Sequence, residues 1–190
     1  MKRLTLIIDN NDIIYNREKI TYDKLCKLIK TKSKLKIIIL NENIFFKIID
    51  SINEKEIKSL IESEILVDVQ KEDYLIHYEI EKKKERTLVY AIKGNKIIKD
   101  ILNNFINSEI EPIYFSIRNS ILKLKRDKSF KYKVKFMKKY FYINVEDGMI
   151  YFDGISDENE YKEAKFLLKD GKGCVNFKWN IWKNIKTLYQ

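Results

Sequence analysis

This chain has a single histidine (His77), a single proline (Pro112), and two cysteines far apart at Cys26 and Cys174. One histidine and no CxxC spacing exclude a His/Cys metal centre and a dithiol redox site. The two thiols are expected to be reduced and packed as small apolar groups. Glycine is nearly as scarce: there are five in 190 residues, and the first is Gly94. Backbone that must approach a phosphate without an intervening side chain is therefore missing from the first half of the sequence. No run approaches the about 20 apolar residues needed to cross a bilayer; the longest aliphatic stretches are Leu4 to Ile8 and Ile37 to Leu40. The opening MKRLTLIIDNND is basic and then apolar, but it ends in Asp and Asn with no small-residue cleavage site. The expectation is a cytoplasmic protein rather than a secreted one. Arginine appears only at positions 3, 17, 86, 118 and 126. Base edges are read best by the arginine fork, so sequence-specific nucleic-acid readout is disfavoured.

What is abundant points to a folded, basic protein. Hydrophobic residues make up 45% and aromatics 13%, enough for a core, and 190 residues suit one compact domain or two small lobes. The net charge is +10 and the sequence pI is about 9.3. That is an anion-binding signature, although a lysine, isoleucine and asparagine load also follows from AT-rich coding.

Apolar periodicity divides the chain into short elements. Leu4 to Asp9 and Asp12 to Tyr15 read as a hairpin around Asn10 and Asn11. Thr21 caps a helix, and Lys34 to Leu40 is a buried-type strand. Ile44 to Ile49 is a strand, and Asn53 caps a helix with Glu54 and Glu56 in its first turn. Tyr74, Ile76, Tyr78 and Ile80 alternate with Leu75, His77 and Glu79, and Thr87 to Ile92 pairs with them. Asn95 opens a helix carrying Ile97, Ile98, Ile101 and Leu102. Pro112 precedes a predicted strand at Ile113 to Phe115, and Asn119 to Leu124 is predicted helical. In the basic stretch from Lys123 to Lys139 the only acid is Asp127; there Phe130, Tyr132, Val134 and Phe136 alternate with Lys131, Lys133 and Lys135. A hairpin around Glu146, Asp147 and Gly148 follows. Glu158 to Leu168 is predicted as a charged helix or helical turn, Cys174 to Phe177 as a strand, and Trp179 to Leu188 as a terminal helix.

The motifs IKSLIESEI, DYLIHYEI, LVYAIK and FINSEIEPIYFSIRNSIL, in that order, together with the later FYINVEDGMIYFDG, resemble a known scaffold family. It is the PilM/GspL actin-like family of type IV pilus and type II secretion machines. The resemblance implies an α/β (α+β) fold: an actin-like (ribonuclease H-like) core with an inserted strand-helix-strand-strand module and a truncated second lobe. It divides the chain into a first lobe of residues 1–42 and 94–127, a module of residues 43–93 and a second lobe of residues 128–190. Actin-like ATPases hold phosphate in two glycine-rich turns. The first turn here is Asp9-Asn10-Asn11-Asp12, and the second keeps only Gly148. No cofactor and no catalytic or metal site are therefore expected.

The resemblance further implies a non-catalytic scaffold at the inner face of the cytoplasmic membrane. Its partners would be the cytoplasmic tail of a bitopic inner-membrane protein, an assembly ATPase, or both, docked in a groove between core sheet and module; a homodimer is compatible with this. Phe45, Phe46, Tyr74, Ile76 and Tyr78 are the candidate partner-binding residues, because they gather aromatics in the module. Lys131, Lys133 and Lys135 are candidates for contact with an anionic membrane surface. Two alternatives stay open. One is a basic nucleic-acid-binding protein using Phe130, Tyr132 and Phe136 as stacking groups. The other is a ribonuclease H-like nuclease holding magnesium with Asp9 on the first strand together with Asp12, Asp147 or Asp153.

Overall fold

A computed structural model describes residues 3–29, 34–40, 44–65, 74–105, 108–152, 160–169 and 172–177. Predicted features at Asp153 and over Trp179 to Leu188 lie outside the described residues.

The first sheet contains β1 (Arg3–Asp9), β2 (Asp12–Tyr15), β3 (Glu18–Ile20), β4 (Lys34–Ile39) and β8 (Ser108–Pro112), in the order β3-β2-β1-β4-β8. β1, β4 and β8 run parallel, with Leu6 opposite Ile37 and Ile37 opposite Ile110, while β2 is antiparallel to β1. Strands buried on both faces need apolar residues at consecutive positions, as in Leu6-Ile7-Ile8 and Ile37-Ile38-Ile39. One face packs Leu4, Leu6, Ile8, Leu35, Ile37 and Ile39 against Leu25 of α1 (Tyr22–Leu28) and Ile98 and Ile101 of α3 (Lys96–Asn104). The other packs Ile7, Ile14, Ile38 and Leu40 against α4 (Ile113–Leu122). Helix starts follow the capping residues in the sequence. The Thr21 side chain accepts from the Lys24 amide at 3.2 Å, and Asn95 accepts from the Ile98 amide at 2.9 Å.

Between β4 and β8 the chain builds a separate three-stranded sheet from β5 (Phe45–Ile49), β6 (Tyr74–Glu81) and β7 (Arg86–Lys93), in the order β5-β7-β6. Helix α2 (Glu54–Leu60), continued by a wider π turn over Ile61–Ile65, covers one face. Thr87 to Ile92 of the central strand are all buried, because the opposite face is covered as well. Val89 and Ala91 point towards α2, Leu88 and Tyr90 join the core shared with α4 and the second lobe, and Ile92 joins the first sheet's core.

The second five-stranded sheet holds β9 (Phe130–Phe136), β10 (Lys139–Glu146), β11 (Met149–Tyr151), β12 (Lys162–Lys169) and β13 (Lys172–Phe177), in the order β11-β10-β9-β12-β13. This repeats the first sheet: a three-stranded antiparallel meander, then a strand added parallel to the first one. The fifth strand differs, since β13 is antiparallel to β12 whereas β8 is parallel to β4. β11 ends at Tyr151 and β12 starts at Lys162. Asp147 and Gly148 form a two-residue turn with φ of 49° and 87°, the left-handed pair that a tight hairpin requires.

Four local expectations need correction. Strand β3 was not foreseen. It is three residues long, and its turn, Asn16-Arg17 with φ of 49° and 72°, lacks the glycine that signals such turns. Ile113 to Phe115 is not a strand but the first turn of α4, and Pro112 closes β8 and forms the helix N-cap. Eight residues of α4 are buried because the helix lies between both lobes and the module, so its sequence shows no clean apolar stripe. The charged segment before Leu168 is strand β12, not a helix; Ala164 and Phe166 are buried and alternate with exposed Glu163 and Lys165. Cys26 is exposed on α1 rather than packed.

Candidate functional site

Strand alternation in β6 sends two sets of side chains to opposite faces of the module sheet. Tyr74, Ile76, Tyr78 and Ile80 are half-buried against the Ile57, Ile61, Val89 and Ala91 cluster beneath α2. Leu75, His77 and Glu79 face the other way, towards the start of α4 and strand β8. β6 is an edge of the module sheet and β8 is an edge of the first sheet. Both edges line one cleft of about 480 Å³. Its walls are Leu75, Ile76, His77 and Glu79 from β6, Tyr90 and Ile92 from β7, Ile110, Glu111 and Pro112 from β8, and Phe115, Arg118 and Asn119 from α4.

One end of the cleft is organised by charge. Arg118 Nη1 donates to both Glu79 carboxylate oxygens at 2.7 Å, and its Nε donates to Asn119 Oδ1 at 3.2 Å. The guanidinium lies over the Phe115 ring, 4.7 Å from its centroid. His77 stacks on Tyr90 and meets the edge of Phe115, with ring centroids 6.1 and 5.3 Å apart. Burial alone would raise the Glu79 carboxyl pKa. The His77 imidazole, 3.6 Å from Glu79 Oε1, and the hydrogen-bonded, charged Arg118 guanidinium outweigh it, and hold the group below the ordinary carboxylate range. Lys36 and Ser116 both engage Glu111. The charges in this cleft are thus matched internally, and apolar side chains and two strands that are sheet edges among the described residues make up the rest of its border.

The module is also tied to the second lobe. Arg86 donates to Glu81 Oε2 and to the Tyr151 hydroxyl, each at 2.6 Å, and the Tyr151 hydroxyl donates to Glu81 at 2.8 Å. Tyr90 donates to the Ile150 carbonyl at 2.9 Å, and burial pushes its phenol pKa well up. Burial would raise Glu81 too, but Arg86, Tyr151 and Lys84 hold its carboxyl low.

The structure separates the five residues singled out from the sequence. Phe46 is fixed among Tyr90, Tyr151 and Phe152, with centroids 5.5, 6.0 and 5.9 Å away, at the junction with the second lobe. Tyr74 and Tyr78 lie on the α2 side, Ile76 also reaches the cleft wall, and Phe45 is 47% exposed on the edge strand. Leu75, His77, Glu79, Tyr90, Phe115 and Arg118 were missed. The alternating partner set in β6 was the available signal for the first three. The others come from remote segments: Glu79 and Arg118 are 39 residues apart.

The turn carboxylates are engaged with lysines. Asp9 Oδ1 accepts from Lys139 Nζ at 2.9 Å, joining the first hairpin of one lobe to the first hairpin of the other. Asp12 pairs with Lys19 at 2.5 Å and Asp147 with Lys83 at 3.8 Å. Among the described residues, no three His, Cys, Asp or Glu side chains gather to hold a metal ion, and no helix is long and apolar enough to cross a membrane.

No family model and no curated protein matches the sequence. Solved structures do match. The cytoplasmic domain of EpsL, an inner membrane component of the type II secretion system of Vibrio cholerae, superposes with a TM-score of 0.53 at 9% identity, over 88% of this chain and 83% of that one. The chain shares the fold of the EpsL cytoplasmic domain. A Bacteroides thetaiotaomicron protein with an actin-like ATPase fold and unknown function also matches, at a TM-score of 0.43 and 13% identity, over 79% of this chain and 67% of that one. The resemblance read from the sequence thus stands: a mixed α/β chain with two like-ordered sheets and an EpsL-type architecture. At 9% identity the likeness to EpsL is one of fold. The residues that would act must be argued from this chain's own cleft.

Proposed function

We propose that this chain is a non-catalytic scaffold of a type II secretion or type IV pilus machine, with residues 43–93 as an inserted docking module. It works at the inner face of the cytoplasmic membrane. The cleft between β6 and β8 takes an extended segment from the cytoplasmic tail of a bitopic inner-membrane protein. One observation carries this reading: two strands that are sheet edges among the described residues border the same apolar cleft, with its charges already matched. An added strand gains main-chain hydrogen bonds from an edge while alternate side chains enter the apolar wall. Leu75, Ile92, Ile110 and Phe115 supply that wall. The fold shared with the EpsL cytoplasmic domain supports the choice of machine.

The test is co-purification of the full chain with membrane-platform proteins at low salt, in parallel with two variants. Leu75→Asp puts a charge into the cleft and is expected to weaken recovery about tenfold or more. Phe45→Asp changes an exposed residue elsewhere on the module and is expected to leave recovery unchanged. If Phe45→Asp abolished recovery and Leu75→Asp did not, the docking face would lie elsewhere and the cleft reading would fail.

A further inference from the structure

The two like-ordered sheets differ in what covers them. In the second sheet Tyr132, Val134, Phe136, Phe141, Ile143, Val145 and Phe166 point into the core shared with α4. Among the described residues, α1 and α3 pack on the first sheet and α2 on the module, so none of the helices lies on the second sheet's outer face. That face carries Lys131, Lys133 and Lys135 from β9, Tyr140 and Tyr142 from β10, and Glu163 and Lys165 from β12.

Its arrangement is unusual for a face that only meets water. Parallel pairing of β9 with β12 sets Lys165 directly opposite Lys135. Like charges placed opposite each other on a sheet cost stability, although the same register sets the acid Glu163 opposite Lys133 two residues along. The neighbouring lysines are drawn down onto aromatic rings. Lys133 Nζ lies 5.3 Å from the Tyr140 centroid and 5.1 Å from that of Tyr142, and Lys135 Nζ lies 5.4 Å from Tyr140. A shallow hollow of about 250 Å³ opens among Lys133, Lys135, Tyr140, Glu163 and Lys165. Glu160 pairs with Lys131 at its margin.

We propose that this face is a docking surface for the phosphate headgroups of an anionic lipid bilayer, centred on Lys135 and Lys165. Charge complementarity supplies the attraction, and two cations held side by side become favourable once an anion lies between them. Ammonium groups seated on tyrosine rings along one sheet face suit a headgroup layer, with the tyrosines at the depth where such rings partition. Single-stranded nucleic acid is the weaker fit. Bases bind such sheets by stacking on open aromatic faces, and here ammonium groups already occupy the Tyr140 and Tyr142 rings. This surface is separate from the β6–β8 cleft and does not depend on what that cleft binds.

The experiment is co-sedimentation of the full chain with vesicles of phosphatidylcholine alone and of equal parts phosphatidylcholine and phosphatidylglycerol. Binding only to the anionic vesicles, weakened about tenfold or more in Lys135→Glu/Lys165→Glu and less in Lys135→Gln/Lys165→Gln, is the expected result. A control double variant, Lys24→Glu/Lys55→Glu, removes the same charge from exposed positions on α1 and α2 and should leave binding within about twofold. Equal weakening by the control would reduce the effect to the net charge of +10 and overturn the proposal. So would no binding to anionic vesicles at low salt. Tighter binding of an oligothymidine, lost in the Lys135/Lys165 variants, would hand the face to nucleic acid and also overturn it.

Discussion

The first and second sheets have one strand order but are covered differently. Among the described residues, the first is enclosed by α1 and α3 on one face and α4 on the other, while the second is covered by a helix, α4, on its inner face. Strand composition follows the covering. β1 and β4 carry aliphatic residues at consecutive positions, whereas β9 and β10 alternate apolar with lysine or tyrosine. Topology alone therefore does not fix the surface a sheet presents. Covering does, and each strand's sequence records it.

Adjacent residues on one strand test that difference most sharply. In β10, Phe141→Ala should cost about 3–5 kcal/mol in chemical denaturation, and Tyr142→Ala only about 1 kcal/mol, since Tyr142 contributes an edge contact to Tyr161 at 5.4 Å and a lysine contact. In β1, Leu6→Ala and Ile7→Ala should both cost about 2–5 kcal/mol, because both neighbours are buried on opposite sides. Similar costs at Phe141 and Tyr142 would mean that the second sheet's outer face is covered in solution.

Next in size is the link between the module and the second lobe. Glu81→Gln leaves Arg86 and Lys84 without their carboxylate and should cost about 2 kcal/mol. The sign of its pH dependence follows from the direction of the shift. The Glu81 and Glu79 carboxyls are held low in the fold, so below the usual glutamate value of about 4.3 the unfolded chain takes up protons first. Their stabilisation is present above that value and is lost as pH falls through the folded one. Acid denaturation of Glu81→Gln should accordingly begin from lower stability and fall less steeply than that of the parent chain. The smallest effect is expected at the bridge between the two lobes' first hairpins. Asp9→Asn should cost about 1 kcal/mol or less, because both groups are partly exposed, and the cost should shrink further in high salt.

Most of the element order, the caps and the lysine face of β9 were legible in the sequence because each is local: an N-cap is set by its own residue and a face by alternation. The failures share a different cause. α4 hid its helix because burial on all sides removes periodicity, and β12 hid its strand because its outer positions are Glu163 and Lys165. The cleft was invisible as a set, since Leu75, Ile110 and Arg118 meet only once β6, β8 and α4 are assembled. The lysine face was half-visible. Alternation exposed Lys131, Lys133 and Lys135, but Lys165 joins them only through the parallel register of β12 on β9.

Strand β7 has α2 on one side and material from both lobes on the other. Cut out alone, residues 45–93 would leave Leu88, Tyr90 and Ile92 wet, so the excised piece should be recovered as aggregate rather than as a free-standing miniature domain. The same enclosure makes β7 a common wall: a guest that shifts it from the cleft side must disturb the packing of each half of the molecule at once.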